Sequence, residues 1–233
     1  MAHDVEIRPE IRERVLRRRG KLHFYDRLDP MRTAHVVIDM QNVFVAPGAP
    51  IEVPEARGVV ERINQTNAAL RALGVRIVWV THRNLRHGGR SDWALYYDHV
   101  MTPERASEVL DWFQPGHEGG ELWAGLEVRP EDARIVKCRY SALIQGSSGL
   151  ERYLRSNGFE NLLISGTKTN VCCESTARDA MMLDFRTVML SDCMAAQTDD
   201  EHRTTLENMI TQFADVMTAA QVLSVLKGTP LNE

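Results

Sequence analysis

The sequence predicts an α/β protein: a single-domain, doubly wound, Rossmann-like sheet of six mostly parallel strands with helices on both faces. Three observations predict it. From Pro30 onward, short apolar runs of strand length alternate with longer amphipathic segments, Gly and Pro punctuate the junctions, and polar or reactive residues stand at the ends of several runs. A chain of 233 residues suits one such domain with a peripheral arm, read as residues 1–30 followed by the main domain over residues 31–233.

Residues 10–21 (EIRERVLRRRGK) are helix-prone and rich in arginine but offer few apolar anchors. They are expected as an arm outside the main core, a solvated or subunit-packing helix being favoured over an anion site. Residues 34–38 (AHVVI) predict the first buried strand, which stops at Asp39. A helix over residues 55–73, closed by Gly74, leads to a strand over residues 75–81 (VRIVWVT), and this βαβ unit makes the sheet parallel. The excursion over residues 82–129 carries Trp93, Trp112, Trp123 and the pair Tyr96-Tyr97; it is expected to form a short helix and loops over a site. Strands over residues 133–138 (ARIVKC), 161–165 (NLLIS), 187–190 (TVML) and around Val216 then alternate with helices near residues 148–157, 172–183, 199–213 and 219–226.

Bulk properties exclude several functions. A formal net charge of -4 provides no field for gathering polyanions, so nucleic acid is not an expected partner. No apolar run approaches the roughly 20 residues that cross a bilayer, and residues 1–10 carry Asp4, Glu6 and Glu10 where a signal peptide has its apolar centre. No membrane association and a cytoplasmic location are expected. The cysteines Cys138, Cys172, Cys173 and Cys193 form no CxxC pair, so reduced thiols are expected, each a core filler or a nucleophile.

In a doubly wound sheet the chemistry gathers at the carboxyl ends of the strands. Asp39 closes one predicted strand, Lys137 closes another, and Cys172 opens a helix soon after a third. Singly, each has an ordinary explanation: a turn aspartate, a snorkelling lysine, a small core cysteine. Together they fit nucleophilic catalysis. A thiol with a reference pKa of about 8.5 is mostly protonated at neutral pH, so it needs a base or a stabilised anion. Asp39 can take the proton, Lys137 can stabilise the thiolate, and a helix N-terminus favours negative sulfur. Backbone N–H groups in the turn before that helix can receive the oxyanion of an attacked carbonyl.

Three blocks, VVIDMQNVF (residues 36–44), KCRYSAL (residues 137–143) and SGTKTNVCCESTARDAMML (residues 165–183), resemble those of isochorismatase-like cysteine hydrolases, in family order. The resemblance runs from about Ala34 to the C-terminus and is most similar to ureidoacrylate amidohydrolase-like proteins. It implies that Asp39 is the proton acceptor, Lys137 its charged partner and Cys172 the nucleophile of a covalent acyl-enzyme. It also implies a cis peptide at Thr167-Lys168, with the amides of Lys168 and Cys172 forming the oxyanion hole. Cys173 lies about 100° away around a helix and is assigned to packing. A nucleophilic cysteine favours amide or ureido cleavage over the vinyl ether hydrolysis of isochorismate-cleaving members. Where metal-dependent nicotinamidases carry an Asp-x-His element, this chain reads VAPGAPIEVPEA, so neither a catalytic metal nor a cofactor is expected.

Asn42, Phe44, His82, Asn84 and Tyr140 are the expected substrate contacts. In the relatives an Asn-Gly-Trp run follows the second strand; here it is replaced by His82-Arg83-Asn84, which leaves the particular ureido substrate open. Arg83, Arg86 and Arg90 can clamp a substrate carboxylate or simply be solvated loop charges. Trp123 can form an apolar wall or pack the excursion on the sheet, and the Lys168 side chain is expected to point outward. Two other functions compete: hydrolysis of a vinyl ether or ester in the same pocket, and a silent binding protein that has kept the fold. Apolar residues expected to be exposed on residues 179–184 (DAMMLD) and on the C-terminal helix, together with the resemblance, point to a homo-oligomer, a dimer or tetramer.

Overall fold

The six residues Thr33–Ile38 are buried along their whole length, as in a central parallel strand covered by helices on both faces. This is β1 of a computed structural model that describes residues 3–231. Before it comes α1 (Pro9–Arg19), and after it the single turn α2 (Asn42–Val45), α3 (Val60–Ala72) and β2 (Arg76–His82). The excursion contains a small hairpin of β3 (Arg86–His87) and β4 (Arg90–Ser91), then α4 (Ala94–His99) and α5 (Pro103–Phe113). The chain continues through β5 (Ala133–Lys137), α6 (Leu150–Ser156), β6 (Asn161–Thr167), α7 (Glu174–Met182), β7 (Arg186–Ala195), α8 (Asp199–Gln212), β8 (Asp215–Met217) and α9 (Ala219–Leu226).

The main sheet has the order β5-β2-β1-β6-β7-β8, and every pairing in it is parallel. The chain therefore builds outward from β1 in one direction, then restarts at β6 and builds in the other. The switch point lies between β1 and β6, where such sheets open a crevice at their carboxyl ends. Strand side chains alternate between two cores. Val37, Ile77 and Trp79 meet Ile63 and Leu70 of α3, Phe113 of α5 and Val222 of α9. Val36, Ile38 and Val80 face the other way, toward Leu150 of α6, Ala177 of α7 and Ile210 of α8.

Several boundaries differ from the sequence reading. The helix expected over residues 55–73 begins as a 3-10 segment, Pro54–Val59, because Gly58 weakens the α-helix there. The helix expected from residue 172 starts earlier, in a π turn at Thr169–Cys173 that runs into α7, so Cys172 sits inside the first helical turns and not at their opening residue. The strand expected over residues 187–190 extends to Ala195, since the polar pair Ser191-Asp192 continues the extended chain after the apolar run ends. The helix expected to lie outside the main core is seated on it: Val15 of α1 is buried in the second core, and Arg8 pairs with Glu207 of α8 at 2.5 Å. The C-terminal helix does not expose its apolar face, because Ala219, Val222, Val225 and Leu226 of α9 are all buried. Met181 and Met182 are exposed on α7. Among the described residues, no helix is long and apolar enough to cross a membrane.

Candidate active site

Asp39 is the first residue after β1 and has left-handed backbone geometry, φ 54°, a conformation that aspartate tolerates better than most side chains. Its N–H still donates to the Val80 carbonyl at 2.8 Å, which ties the turn to β2. Lys137 ends β5, two strands away, and reaches under β2 to put its ammonium 2.8 Å from the Asp39 carboxylate. Both side chains are fully buried. Cys172 comes from the other side of the switch point, after β6, and its sulfur lies 3.5 Å from Lys137 Nζ. Three segments far apart in the chain, a turn after β1, the end of β5 and the π turn after β6, thus bring an acid, an ammonium and a thiol to one spot.

Gly166 makes this approach possible. It has φ +108°, and a Cβ placed on it would lie 2.0 Å from the Ile38 carbonyl oxygen. Only glycine lets β6 run this close to β1 one residue before the chain turns through Thr167-Lys168, where the peptide bond is cis.

The lysine ammonium has three protons and four acceptors around it. Beyond Asp39 and Cys172, it donates to His82 Nδ1 at 3.0 Å and to the Arg139 carbonyl at 3.1 Å. The ammonium thus donates to the Cys172 sulfur at 3.5 Å while it is ion-paired with the Asp39 carboxylate at 2.8 Å. The Cys172 thiol also interacts with Asp39. Burial and then the Asp39 charge push the Cys172 thiol well above its usual range, against the pull of Lys137. Burial also raises the Asp39 carboxyl, with Lys137 opposing, which makes it a stronger base than an exposed aspartate. Lys137 is raised: burial works against its charge, but Asp39 and Cys172 outweigh burial, so it stays an ammonium. The geometry sets the thiol and the carboxyl side by side, with the Lys137 ammonium in contact with both.

Above these groups opens a cavity of about 450 Å³. Of the expected contacts, Phe44, His82 and Tyr140 line it, as do Cys172 and Lys168. Asn42 and Asn84 are not among its lining residues, and the reason is local bonding. The Asn42 amide donates to the Glu118 carbonyl at 2.8 Å. Asn84 is fully buried and bonds His82 Nε2 at 2.6 Å and Asp92 at 2.7 Å. Lys168 lines the cavity, and its side chain, expected to point outward, donates at an exposed site to Gln197, another lining residue, at 3.0 Å. Cys173 is fully buried and donates to the Ser165 carbonyl at 3.6 Å.

The aromatic wall is what the sequence reading missed. Trp93, Tyr96, Tyr97 and Phe113 line the cavity, and Trp93 packs edge-on against Tyr140 with ring centroids 4.8 Å apart. Their presence in the excursion was a signal, but nothing in the sequence said which of them turn inward. Two arginines of the excursion are engaged elsewhere: Arg86 bonds Asp111, and Arg90 pairs with Asp98 at 2.6 Å. Neither they nor Arg83 line the cavity, whereas Arg105 of α5 does. Trp123 packs beside the first core, outside the cavity. Among the described residues, no group of three or more His, Cys, Asp or Glu side chains is arranged to hold a metal ion.

A six-stranded parallel sheet with this site at its switch point is an isochorismatase-like α/β fold. Residues 33–221 match the Isochorismatase domain, and the chain belongs to that family. It is 30% identical to the ureidoacrylate amidohydrolase RutB of Acinetobacter baylyi over 198 residues, 80% of each chain. It is 33% identical over 179 residues to a protein of Arabidopsis thaliana named "probable inactive nicotinamidase", covering 76% of this chain and 87% of that one. Among solved structures, a cysteine hydrolase from Pseudomonas syringae pv. phaseolicola superposes with a TM-score of 0.76 at 27% identity, over 86% of this chain and 94% of that one.

Proposed function

We propose that the protein hydrolyses a C–N bond in a small amide or ureido compound through a covalent acyl-enzyme on Cys172. The observation that carries this is the buried contact of Lys137 with both Asp39 and Cys172 at the floor of the cavity. An acid, an ammonium and a thiol sharing one desolvated spot are the parts needed to make and spend a thiolate.

In the first half-reaction Asp39 accepts the Cys172 proton as sulfur attacks the substrate carbonyl carbon. The ammonium of Lys137 stabilises the thiolate during transfer and keeps the carboxylate ionised beforehand. The N–H groups of Lys168 and Cys172 receive the oxyanion, and collapse breaks the C–N bond while the departing nitrogen takes the proton from Asp39. In the second half, Asp39 accepts a proton from water, hydroxide adds to the thioester carbon, and the C–S bond breaks to return the thiol and the acid. No histidine is needed as base, since burial holds His82 neutral and it already accepts from Lys137.

The relatives named as ureidoacrylate amidohydrolases support the amide or ureido class, and the aromatic lining suits a planar substrate group. The same reading includes a cytoplasmic enzyme assembled as a homo-oligomer, with the exposed Met181 and Met182 of α7 in a subunit contact. The test is ammonia or amine release from a panel of small amides and ureido acids, with wild type beside Cys172→Ala, and intact-mass detection of an acyl adduct. Release that persists in Cys172→Ala sinks the covalent mechanism; silence of the wild type across the panel sinks the substrate class.

A further inference from the structure

We propose that the N-terminal segment positions the turn that carries the nucleophile, with His3 and His202 acting on Thr169. This rests on Cys172 being the nucleophile. The segment precedes residues 33–221, the part that matches the family, and yet it reaches the active-site edge of the sheet.

Thr169 begins the π turn Thr169–Cys173 and is fully buried. Its hydroxyl bonds His202 Nδ1 at 2.9 Å. The Ser191 backbone also interacts with the His202 ring, so the ring is held between β7 and the turn. Burial, and then the neighbouring His3, bring the His202 pKa down to about 4, so the ring bonded to Thr169 is neutral near pH 7.

His3 lies flat on His202, with ring centroids 4.4 Å apart and planes 16° from parallel, and only 2% of its side chain is exposed. Its Nε2 accepts the Ala196 N–H at 3.0 Å, so the proton is on Nδ1, 2.7 Å from the Asp199 carboxylate. The residue after Ala196 is Gln197, which accepts from Lys168 Nζ at the cavity mouth. His3 therefore touches both supports of the turn. Through the stacked His202 it backs Thr169, and through the Ala196 amide it fixes the strand end whose next residue holds Lys168. Lys168 and Cys172 bracket Thr169 and supply the two N–H groups assigned above to the oxyanion, so a shift of the turn changes their convergence while leaving the aromatic wall in place. His3 and His202 touch neither the cavity nor the reacting atoms, so they are positioning residues.

The test compares wild type, His3→Ala and a chain lacking residues 1–6, by amide hydrogen exchange over residues 167–173 and by steady-state kinetics on the best amide substrate. Both variants are expected to exchange at least about tenfold faster over the turn, with kcat lowered about fivefold and KM within about twofold of wild type. Exchange equal to wild type overturns the proposal, as does a drop in melting temperature with kcat intact at 20 °C, the signature of a purely structural strap. If the wild type hydrolyses nothing in the panel, the exchange result still decides whether the segment holds the turn, and the failure belongs to the proposed activity.

Discussion

Lys137 donates to His82 Nδ1 at 3.0 Å, and His82 meets the Asn84 side-chain oxygen through Nε2 at 2.6 Å. An ammonium has no lone pair to offer, so Nδ1 must accept, Nε2 must carry the proton, and Asn84 must take it. The asparagine fixes the tautomer, the tautomer fixes the lysine, and the lysine faces Asp39 and Cys172. Removing Asn84 leaves the buried His82 N–H without a partner and frees the ring. A lost buried hydrogen bond of about 1–2 kcal/mol corresponds to roughly tenfold in rate. Asn84→Ala is therefore expected to lower kcat about tenfold with KM within about twofold, because Asn84 does not line the cavity. Steady-state kinetics check this, and an unchanged kcat removes the relay from the mechanism.

The adjacent cysteines should separate cleanly. Cys172 borders the cavity and Lys137, while Cys173 is sealed against the Ser165 carbonyl. Cys172→Ser keeps a hydroxyl near the same place but replaces a thiol with a far weaker acid, and general-base assistance alone is worth about 10²–10⁴ in rate. A loss of at least about a thousandfold in kcat/KM is expected. Cys173→Ser keeps a small donor beside Ser165 and is expected to retain more than about a third of wild-type activity. If Cys173→Ser is the dead variant, the nucleophile has been assigned to the wrong sulfur.

Lys168 lines the cavity, where its ammonium donates to the neutral Gln197. A substrate anion at the mouth gains a charge-assisted hydrogen bond there, of about 1.5–3 kcal/mol. Lys168→Met keeps the backbone N–H and removes the charge. With an ureido acid its KM should rise at least about tenfold, whereas the KM of a neutral amide of similar size should move far less. Equal effects on both substrates refute an anion contact.

Much of the fold was legible because β1, β2 and β6 are short apolar runs ending at a polar residue, a pattern that a buried parallel strand enforces on every position. Asp39, Lys137 and Cys172 were legible for the same reason: each follows or ends such a strand, and the switch point of the sheet brings strand ends together. The wall was not. Trp93 caps a short helix, α4, that carries Tyr96 and Tyr97, and its direction is set by tertiary contacts, such as the Tyr97 hydroxyl donating to Asn84 at 3.3 Å. Asn84 looked like a substrate contact because it is polar and follows a strand; its burial beneath His82 depends on Asp92 and Cys138 arriving from two other segments. The docking of α1 was hidden because one buried Val15 and the ion pair of Arg8 with Glu207 anchor it, where the sequence shows mostly arginine.

Gly166 allows a sharper test of the site's framework. A side chain there meets backbone and not a movable neighbour, with Cβ 2.0 Å from the Ile38 carbonyl oxygen and 2.7 Å from the Ile38 nitrogen. The positive φ adds strain of its own. Gly166→Ala is expected to destabilise the fold by about 3 kcal/mol or more and to displace Asp39, which follows Ile38. Urea unfolding reads the stability loss. A variant with normal stability and activity shows that β6 has more room at this point than the backbone positions allow.

His35 makes a prediction about pH. It is fully buried in the middle of β1, bonded to Asn67 through Nδ1 and to Ser165 through Nε2, each at 2.7 Å. Burial outweighs the Asn67 bond and brings its pKa down to about 4. In the unfolded chain the ordinary value is about 6.5, so between these limits the unfolded state binds the proton that the folded state refuses. The neutral histidine's contribution is thus fully present above about pH 6.5. It is lost progressively as pH falls toward 4 and changes little below that, with a total of roughly 3 kcal/mol. His202, also near 4, adds loss in the same window. Urea denaturation at pH 7.5, 5.5 and 4.5 should show wild-type stability falling through this range, ahead of the carboxylates. His35→Gln keeps polar groups beside Asn67 and Ser165 but has nothing to titrate; it should start lower at pH 7.5 and fall by about 3 kcal/mol less on the way to pH 4. Parallel curves for the two proteins mean that His35 is already protonated in the fold, with its charge held by Asn67 and Ser165.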